Sequence, residues 1–473
     1  MKRISLKLLV CIICIVSYSF FCSYDNVKIK YRDNEKIYPG SEKVILSNMS
    51  DPLFSDGEYA YNSELAKESL KLSVCAFSAN VSEHTWGENS PVGREDNVKE
   101  YLMRRGFGDI EFYNYTTSLN DSSSKVAFAL AYKPYDLKTN IVAIVIRGGN
   151  YGLEWADNFN LGDSLYPYHR GFHSASLDVK NISDNYLKKH SSGKKNKLWI
   201  CGYSRGGAVA NIVASMYNEE KPKFPCSVYA YTFASPKTSI VSKTKAHDTI
   251  HKNIFNILSP NDPVYNVPPK SWGFGRFGIC VVFPDNNDSD YSGAEELTQK
   301  VSKSYLLKTG EILQTTGNPV SSFIDIFIKS SKSRDFFHKK LSPPVIDFLK
   351  VKMTREKNAS GLWQTQDSRA ALSKLYGKDA LDVLENIKNS DFYAPFRKLG
   401  LNIPEDVYIF IALCYLNGFS EFEKTIFSEI NVNDLGQVST INSGTSIETC
   451  HSSEFYMSWL ENAELSHLKF IKE

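Results

Sequence analysis

"ICGYSRGGAVANIVASMY", residues Ile200 to Tyr217, sets a serine among glycines where an apolar, strand-like run gives way to a small-residue, helix-like run. Gly202-Tyr203-Ser204-Arg205-Gly206 fits the pattern G-x-S-x-G, and Gly207 adds room. In that pattern the serine sits on a strained strand-to-helix turn, where side chains two residues to either side would collide with backbone. The hydroxyl then projects above the sheet, and the N-terminus of the following helix favours developing negative charge. A glycine turn that carries a serine by chance has the same five residues, so the surroundings of Ser204 decide what it does.

Working outward, "KVAFALAYK" (125–133) and "NIVAIVIRGG" (140–149) read as strands, the second apolar enough to be buried on both faces. "SASLDVKNISDNYLKKH" (174–190) has helical spacing, and "KLWIC", "CSVYAYTFASP" and "NIFNIL" read as further strands. Before them, "SELAKESLKLSVCAFSA" and "NVKEYLMRRGF" look helical. Strands alternating with helices predict an α/β fold with a mostly parallel sheet. From about Asp285 to Thr445 the segments turn mostly helical, as in "VSSFIDIFIKSS", "PPVIDFLKVKM", "ALDVLENIKNS" and "PEDVYIFIALCYLNGF". This divides the chain into a first core part (23–284), a helical insertion (285–445) and a terminal core part (446–473), whose last stretch, "EFYMSWLENAELSHLKFIKE", reads as a helix returning to the sheet.

With 473 residues, of which 42% are hydrophobic and 23% charged, the chain can bury a large globular core. A net charge of +2 gives no reason to expect a nucleic-acid partner. Met1-Lys2-Arg3 with Lys7, followed by the apolar run Leu8 to Cys22, has the layout of an export signal or a retained anchor, which places the protein outside the cytoplasm. Such a segment would also allow contact with a membrane or lipid interface. Of nine cysteines, the six beyond Cys22 are widely scattered and read as isolated thiols. No C-x-x-C pair lies outside the N-terminal segment, so neither a metal nor an organic cofactor is implied.

A serine hydroxyl is a weak nucleophile at neutral pH and needs a base and an orienting acid. In a fold of this type they follow the serine in the order acid, then histidine. Asp262, in "NILSPNDPVYNVPP", comes just after a strand-like segment, where such folds place their sites. The competing role for it is an Asp-Pro turn former.

The elbow, "IVAIVIRGG" with Trp155 downstream, "HRGFHSA", "FASPK" and "NDPVYNVPPKSWGFGRFG", in that order apart from the elbow's place, resemble the class 3 lipase family of α/β hydrolases, in particular exported bacterial members with a long helical insertion. The resemblance covers about Ser63 to Phe283 and Thr449 to Leu460. It implies Ser204 as nucleophile, Asp262 as acid, and His451, in "TCHSSEFYMSWL", as base, because the family ends with a histidine followed shortly by a tyrosine. His169 and His173 precede the serine and read as structural, and His338 reads as a surface residue. The oxyanion hole would use the backbone N–H groups of Arg205 and Gly149. Many members carry Ser or Thr where this chain has Gly149, so only a backbone donor is available there. The activity implied is hydrolysis of a lipid or other carboxylic ester through an acyl-enzyme. A phospholipase, a general esterase, and a catalytically silent binding protein of the same fold are the alternatives.

The insertion, lying between acid and base, would cap the site. Phe323, Ile324, Phe327, Ile346, Phe348, Ile409, Phe410 and Leu413 would either meet the acyl chain or form the insertion's own core.

Overall fold

The computed structural model describes residues 51–76, 95–115, 125–148, 154, 156–191, 193–220, 226–284, 294–310, 313, 334–353, 355–357, 363–365, 367–390, 405–418 and 450–473. The expected export segment, Gly149, Trp155, Phe323, Ile324 and Phe327 lie outside the described residues. Among the described residues no helix is long and apolar enough to cross a membrane.

An eight-stranded sheet forms the centre, with its strands in spatial order of sequence. They are β1 (Gly108–Tyr113), β2 (Phe128–Pro134), β3 (Thr139–Ile146), β4 (Lys195–Tyr203), β5 (Cys226–Phe233), β6 (Ile254–Leu258), β7 (Ile279–Val282) and β8 (Lys469–Ile471). β3 through β7 run parallel, while β1, β2 and β8 are antiparallel to their neighbours. This is the mostly parallel sheet of an α/β-hydrolase fold.

Strand periodicity divides the core in two. Along β3, Ile141, Ala143 and Val145 face one apolar cluster, while Val142, Ile144 and Ile146 face the other. Both faces are covered, which is why β3 reads as a continuous apolar run. Because the parallel strands step in one direction, right-handed crossovers put their helices on one face. Helices α3 (Arg170–His190) and α4 (Arg205–Glu219) cover that face through Phe172, Val179, Val209 and Val213. Helices α1 (Ser63–Cys75), α5 (Ala294–Thr309) and α10 (Ser453–Asn462) cover the other through Leu70, Val301 and Trp459. α2 (Glu95–Arg104) adds Val98 and Leu102 to the same layer.

The start of the stretch expected to be the insertion therefore belongs to the sheet core, since Leu297, Val301 and Tyr305 of α5 pack there. The later helices α6 (Ser342–Met353), α7 (Ser368–Tyr376), α8 (Asp379–Asn389) and α9 (Glu405–Leu416) have their own cluster, built on Phe348, Leu372, Leu384, Ile409 and Leu413. Ala156 and Phe159 of the core join that cluster, and Ile346 packs at its edge. Phe348, Ile409 and Leu413 are thus core residues of the insertion and do not form an exposed apolar face. In the terminal stretch the α-helix ends at Asn462 and a single 3-10 turn, Leu465–His467, follows; the end then extends as β8 and pairs with β7.

Candidate active site

Ser204 joins β4 to α4 with φ 53° and ψ −125°, a backbone conformation that side-chain-bearing residues seldom adopt. Close packing explains the flanking glycines. A Cβ on Gly202 would lie 2.3 Å from the Gly206 carbonyl oxygen, and one on Gly206 would lie 2.4 Å from that of Ile146. Gly207 has less conflict, its nearest neighbour being the Ser235 Cβ at 3.0 Å. The Ser204 N–H donates to the Phe233 carbonyl at 2.8 Å, so the turn is tied to the end of β5.

Asp262 lies four residues past the end of β6 and is fully buried. It caps the short turn Pro263–Asn266, with Oδ1 accepting from the Val264 N–H at 2.9 Å. Oδ2 remains for two other partners. His451 Nδ1 lies 2.8 Å from it, and the Tyr456 hydroxyl donates to it at 2.8 Å. A carboxylate only accepts, so His451 carries its proton on Nδ1 and presents a bare Nε2 lone pair. That Nε2 lies 2.9 Å from Ser204 Oγ. The serine hydroxyl therefore donates to the ring atom that can remove its proton.

The placement of His451 follows from the chain around it. Ser452 caps α10 by accepting from the Phe455 N–H at 3.2 Å, so His451 stands just before the helix. Its backbone carbonyl accepts from the Tyr203 hydroxyl at 2.9 Å, and the two rings lie 5.6 Å apart. Tyr203, inside the elbow motif, thus holds His451 beside its own neighbour Ser204. The Tyr456 hydroxyl also accepts from the Ser259 N–H at 3.2 Å, and its burial, with Asp262 beside it, raises its pKa well above the ordinary phenol value. Next to His451, the Cys450 thiol is pushed up to about 12 by burial, so it stays protonated and unreactive.

Arg205 opens α4, so its backbone N–H has no intrahelical acceptor. Its side chain is buried, donates to Asn158 Oδ1 at 3.0 Å and lies over the Phe172 ring. The end of β3 meets the start of α4 at Gly206, where Ile146 and Arg147 supply the contacting backbone. Arg147 is fully buried and donates to Glu154 Oε1 at 3.0 Å.

The other histidines among the described residues are not part of this chain of contacts. His169 donates through Nε2 to the Asn158 carbonyl at 3.0 Å, and its ring stacks on Phe172 at 3.7 Å. Burial, helped by the Arg205 and Arg334 guanidiniums, lowers its pKa to about 3. His173 stacks on Tyr168 and bonds the Tyr166 hydroxyl. His338 is half-buried, and burial lowers its pKa.

Sequence reasoning missed the roles of Tyr203, Ser259 and the Arg205 side chain. Only Tyr456 had a signal, as the tyrosine that follows the histidine.

No curated protein sequence matches the chain. Among solved structures, a triacylglycerol lipase whose catalytic centre is described as a serine protease triad is 21% identical, with 47% of this chain and 80% of that chain covered at a TM-score of 0.34. Lipase II from Rhizopus niveus is 19% identical over 47% of this chain and 82% of its own, at a TM-score of 0.31. The Rhizomucor miehei lipase in complex with its propeptide is 19% identical over 48% and 71%, at 0.33. The family model described as lipase (class 3) matches residues 143–272, from within β3 through the elbow and Asp262. Over residues 143–272, which carry the serine elbow and Asp262, the chain is similar to the class 3 lipase family.

Proposed function

We propose that this protein hydrolyses carboxylic esters, with lipid esters such as acylglycerols as its substrate class, through Ser204, His451 and Asp262. The observation that carries the reading is the unbroken line from Ser204 Oγ to His451 Nε2 and from His451 Nδ1 to Asp262 Oδ2, at 2.9 and 2.8 Å. The lipid preference rests on the class 3 lipase match alone.

As Ser204 Oγ attacks the acyl carbonyl carbon, its proton moves to His451 Nε2 and the carbonyl oxygen takes up negative charge. The buried Asp262 carboxylate stabilises the imidazolium through Nδ1. The Arg205 N–H, with Gly149 as its expected companion, would donate to the oxyanion. Collapse of that adduct breaks the ester C–O bond, and His451 returns its proton to the leaving alcohol. Water then attacks the acyl-enzyme, giving its proton to His451, and the carboxylic acid leaves as Ser204 regains its hydrogen.

Purified protein should react with a fluorophosphonate at Ser204 and turn over short and long acyl esters, acylglycerols and phospholipids being compared side by side. Ser204→Ala should abolish labelling and lower turnover by about 10⁴-fold or more, with an unchanged circular dichroism spectrum. Near-normal turnover by that variant would remove Ser204 as nucleophile.

A further inference from the structure

Arg276 is fully buried, and neither the elbow nor the acid-base pair uses it directly. It follows the two-residue strand Phe274–Gly275, which pairs with Ser239–Ile240. Its guanidinium makes contacts in three directions. Nε donates to the Ser235 carbonyl at 3.0 Å, and Nη2 donates to the same oxygen at 2.5 Å. Nη2 also donates to the Tyr265 carbonyl at 2.8 Å. Nη1 donates to Glu473 Oε2 at 2.5 Å, and both side chains of that pair are almost wholly buried.

The partners of Arg276 belong to the two loops whose relative position sets the triad. Ser235 follows β5, and its Cβ lies 3.0 Å from where a side chain on Gly207 would begin, so it packs under the first turn of α4. Tyr265 belongs to the short turn capped by Asp262, and its N–H donates to the Asp262 carbonyl at 3.0 Å. One rigid, planar cation thus joins the underside of the elbow to the acid loop, with donors fixed in a fork. Glu473 neutralises it and is itself held in place by β8, which pairs with β7. Lys237 Nζ donates to the same Tyr265 oxygen at 2.8 Å, a second cation on the acid loop from the segment after β5.

We propose that Arg276, held by Glu473, is a positioning residue that fixes the acid loop against the nucleophile elbow and so keeps Asp262 in line with His451. This rests on the hydrolase reading of Ser204, His451 and Asp262. The β8 end of the sheet then has a functional consequence, because Glu473, two residues past β8, is the counter-ion that keeps the brace aligned. Loss of the brace lets Asp262 drift from Nδ1. The ring then loses the partner that orients it and that stabilises the imidazolium formed as Ser204 attacks.

Arg276→Met alone leaves Glu473 buried without a counter-ion and could lower the yield of folded protein. The decisive variant is therefore Arg276→Met with Glu473→Gln, which removes both charges together, with Arg276→Lys as the conservative comparison. For each, active serine is counted by fluorophosphonate titration, and kcat and KM are measured on a soluble ester between pH 5 and 9. The double variant should retain reactive serine, lose at least tenfold in kcat per reactive serine, and keep KM within about twofold. Arg276→Lys should fall between the double variant and the wild type in kcat per reactive serine. A merely structural role would lower the amount of reactive serine and leave kcat per site unchanged. That result would overturn the brace. Failure of the wild type to label would instead overturn the hydrolase reading on which it rests.

Discussion

At the residue scale, the strain at Ser204 and the hydrogen bonds around Asp262 are two halves of one arrangement. A non-glycine residue at φ 53° costs about 1–3 kcal/mol, which persists only where neighbours over-determine it. Here the glycines allow β3, β4 and α4 to close around the turn, and the cost fixes Ser204 Oγ where His451 can reach it. Asp262 is held from three sides, by Val264, His451 and Tyr456. Tyr456→Phe should therefore lower kcat by about tenfold, equivalent to about 1.4 kcal/mol of transition-state stabilisation. It should also destabilise the fold by about 1–3 kcal/mol, because the buried Ser259 N–H loses its acceptor. Denaturant unfolding together with ester kinetics would check both, and an unchanged kcat would show that Val264 and His451 hold the acid by themselves. Ser204, Asp262 and His451 could be read in the chain because order and flanking residues constrain them. Tyr203 and Ser259 could not, since a hydroxyl or a backbone N–H acquires its role only when the sheet brings it beside a partner 197 or 248 positions away.

At the element scale, legibility followed the strength of local patterning. β3, β4 and β5 are long apolar runs whose alternation divides between two clusters, so they were readable without the fold. β7 and β8 are short and become strands only because β6 offers an edge to β7 and β7 an edge to β8. β8 ends in Phe470 and Ile471, which are partly exposed at that edge and lack the alternation that marks a strand. Helices α6, α8 and α9 were readable from their sequence, but how they attach was not. Arg334 is buried and donates to the backbone carbonyls of Leu161, Gly162, Tyr166 and Tyr168, while its guanidinium lies 4.6 Å from the Phe274 ring centre. Asp335 accepts from the Ser164 N–H and hydroxyl, and the Ser342 hydroxyl donates to the Phe159 carbonyl at 2.6 Å. One arginine and two short contacts thus pin the start of the helical subdomain to the β3–α3 connection, beside Asn158 and hence Arg205. Arg334→Met should strand several buried carbonyls and cost about 1–3 kcal/mol. Amide exchange in α6 should quicken while that in β4 and β5 stays slow. Equal quickening in all three would mean that Arg334 stabilises the whole fold and not this attachment.

At the scale of the whole molecule, buried histidines make stability depend on pH. His169 and His251 are fully buried, and burial is the first cause lowering both, to about 3 and about 4. The groups facing His169 are the Arg205 and Arg334 guanidiniums, which disfavour its proton, and the Asn158 carbonyl, which favours it less strongly than burial opposes it. His251 lies against the Phe277 ring with Glu219 Oε1 3.4 Å from its Nε2, and Asp248 draws its pKa part of the way back. In the unfolded chain each titrates near 6.5, so between that pH and about 3 to 4 the unfolded state binds protons that the folded state refuses. Stability is therefore full above about pH 6.5 and falls as pH drops, by about 1.4 kcal/mol per pH unit for each histidine once well below its unfolded value. Neither ring belongs to the proposed triad, so this loss is separable from the protonation of His451. His169→Asn keeps a donor near the Asn158 carbonyl and cannot take up a proton. Its melting temperature should fall less steeply than that of the wild type between pH 6.5 and 4, whatever its value at pH 7. Parallel melting curves for the two proteins would show that His169 does not set the acid sensitivity of the fold.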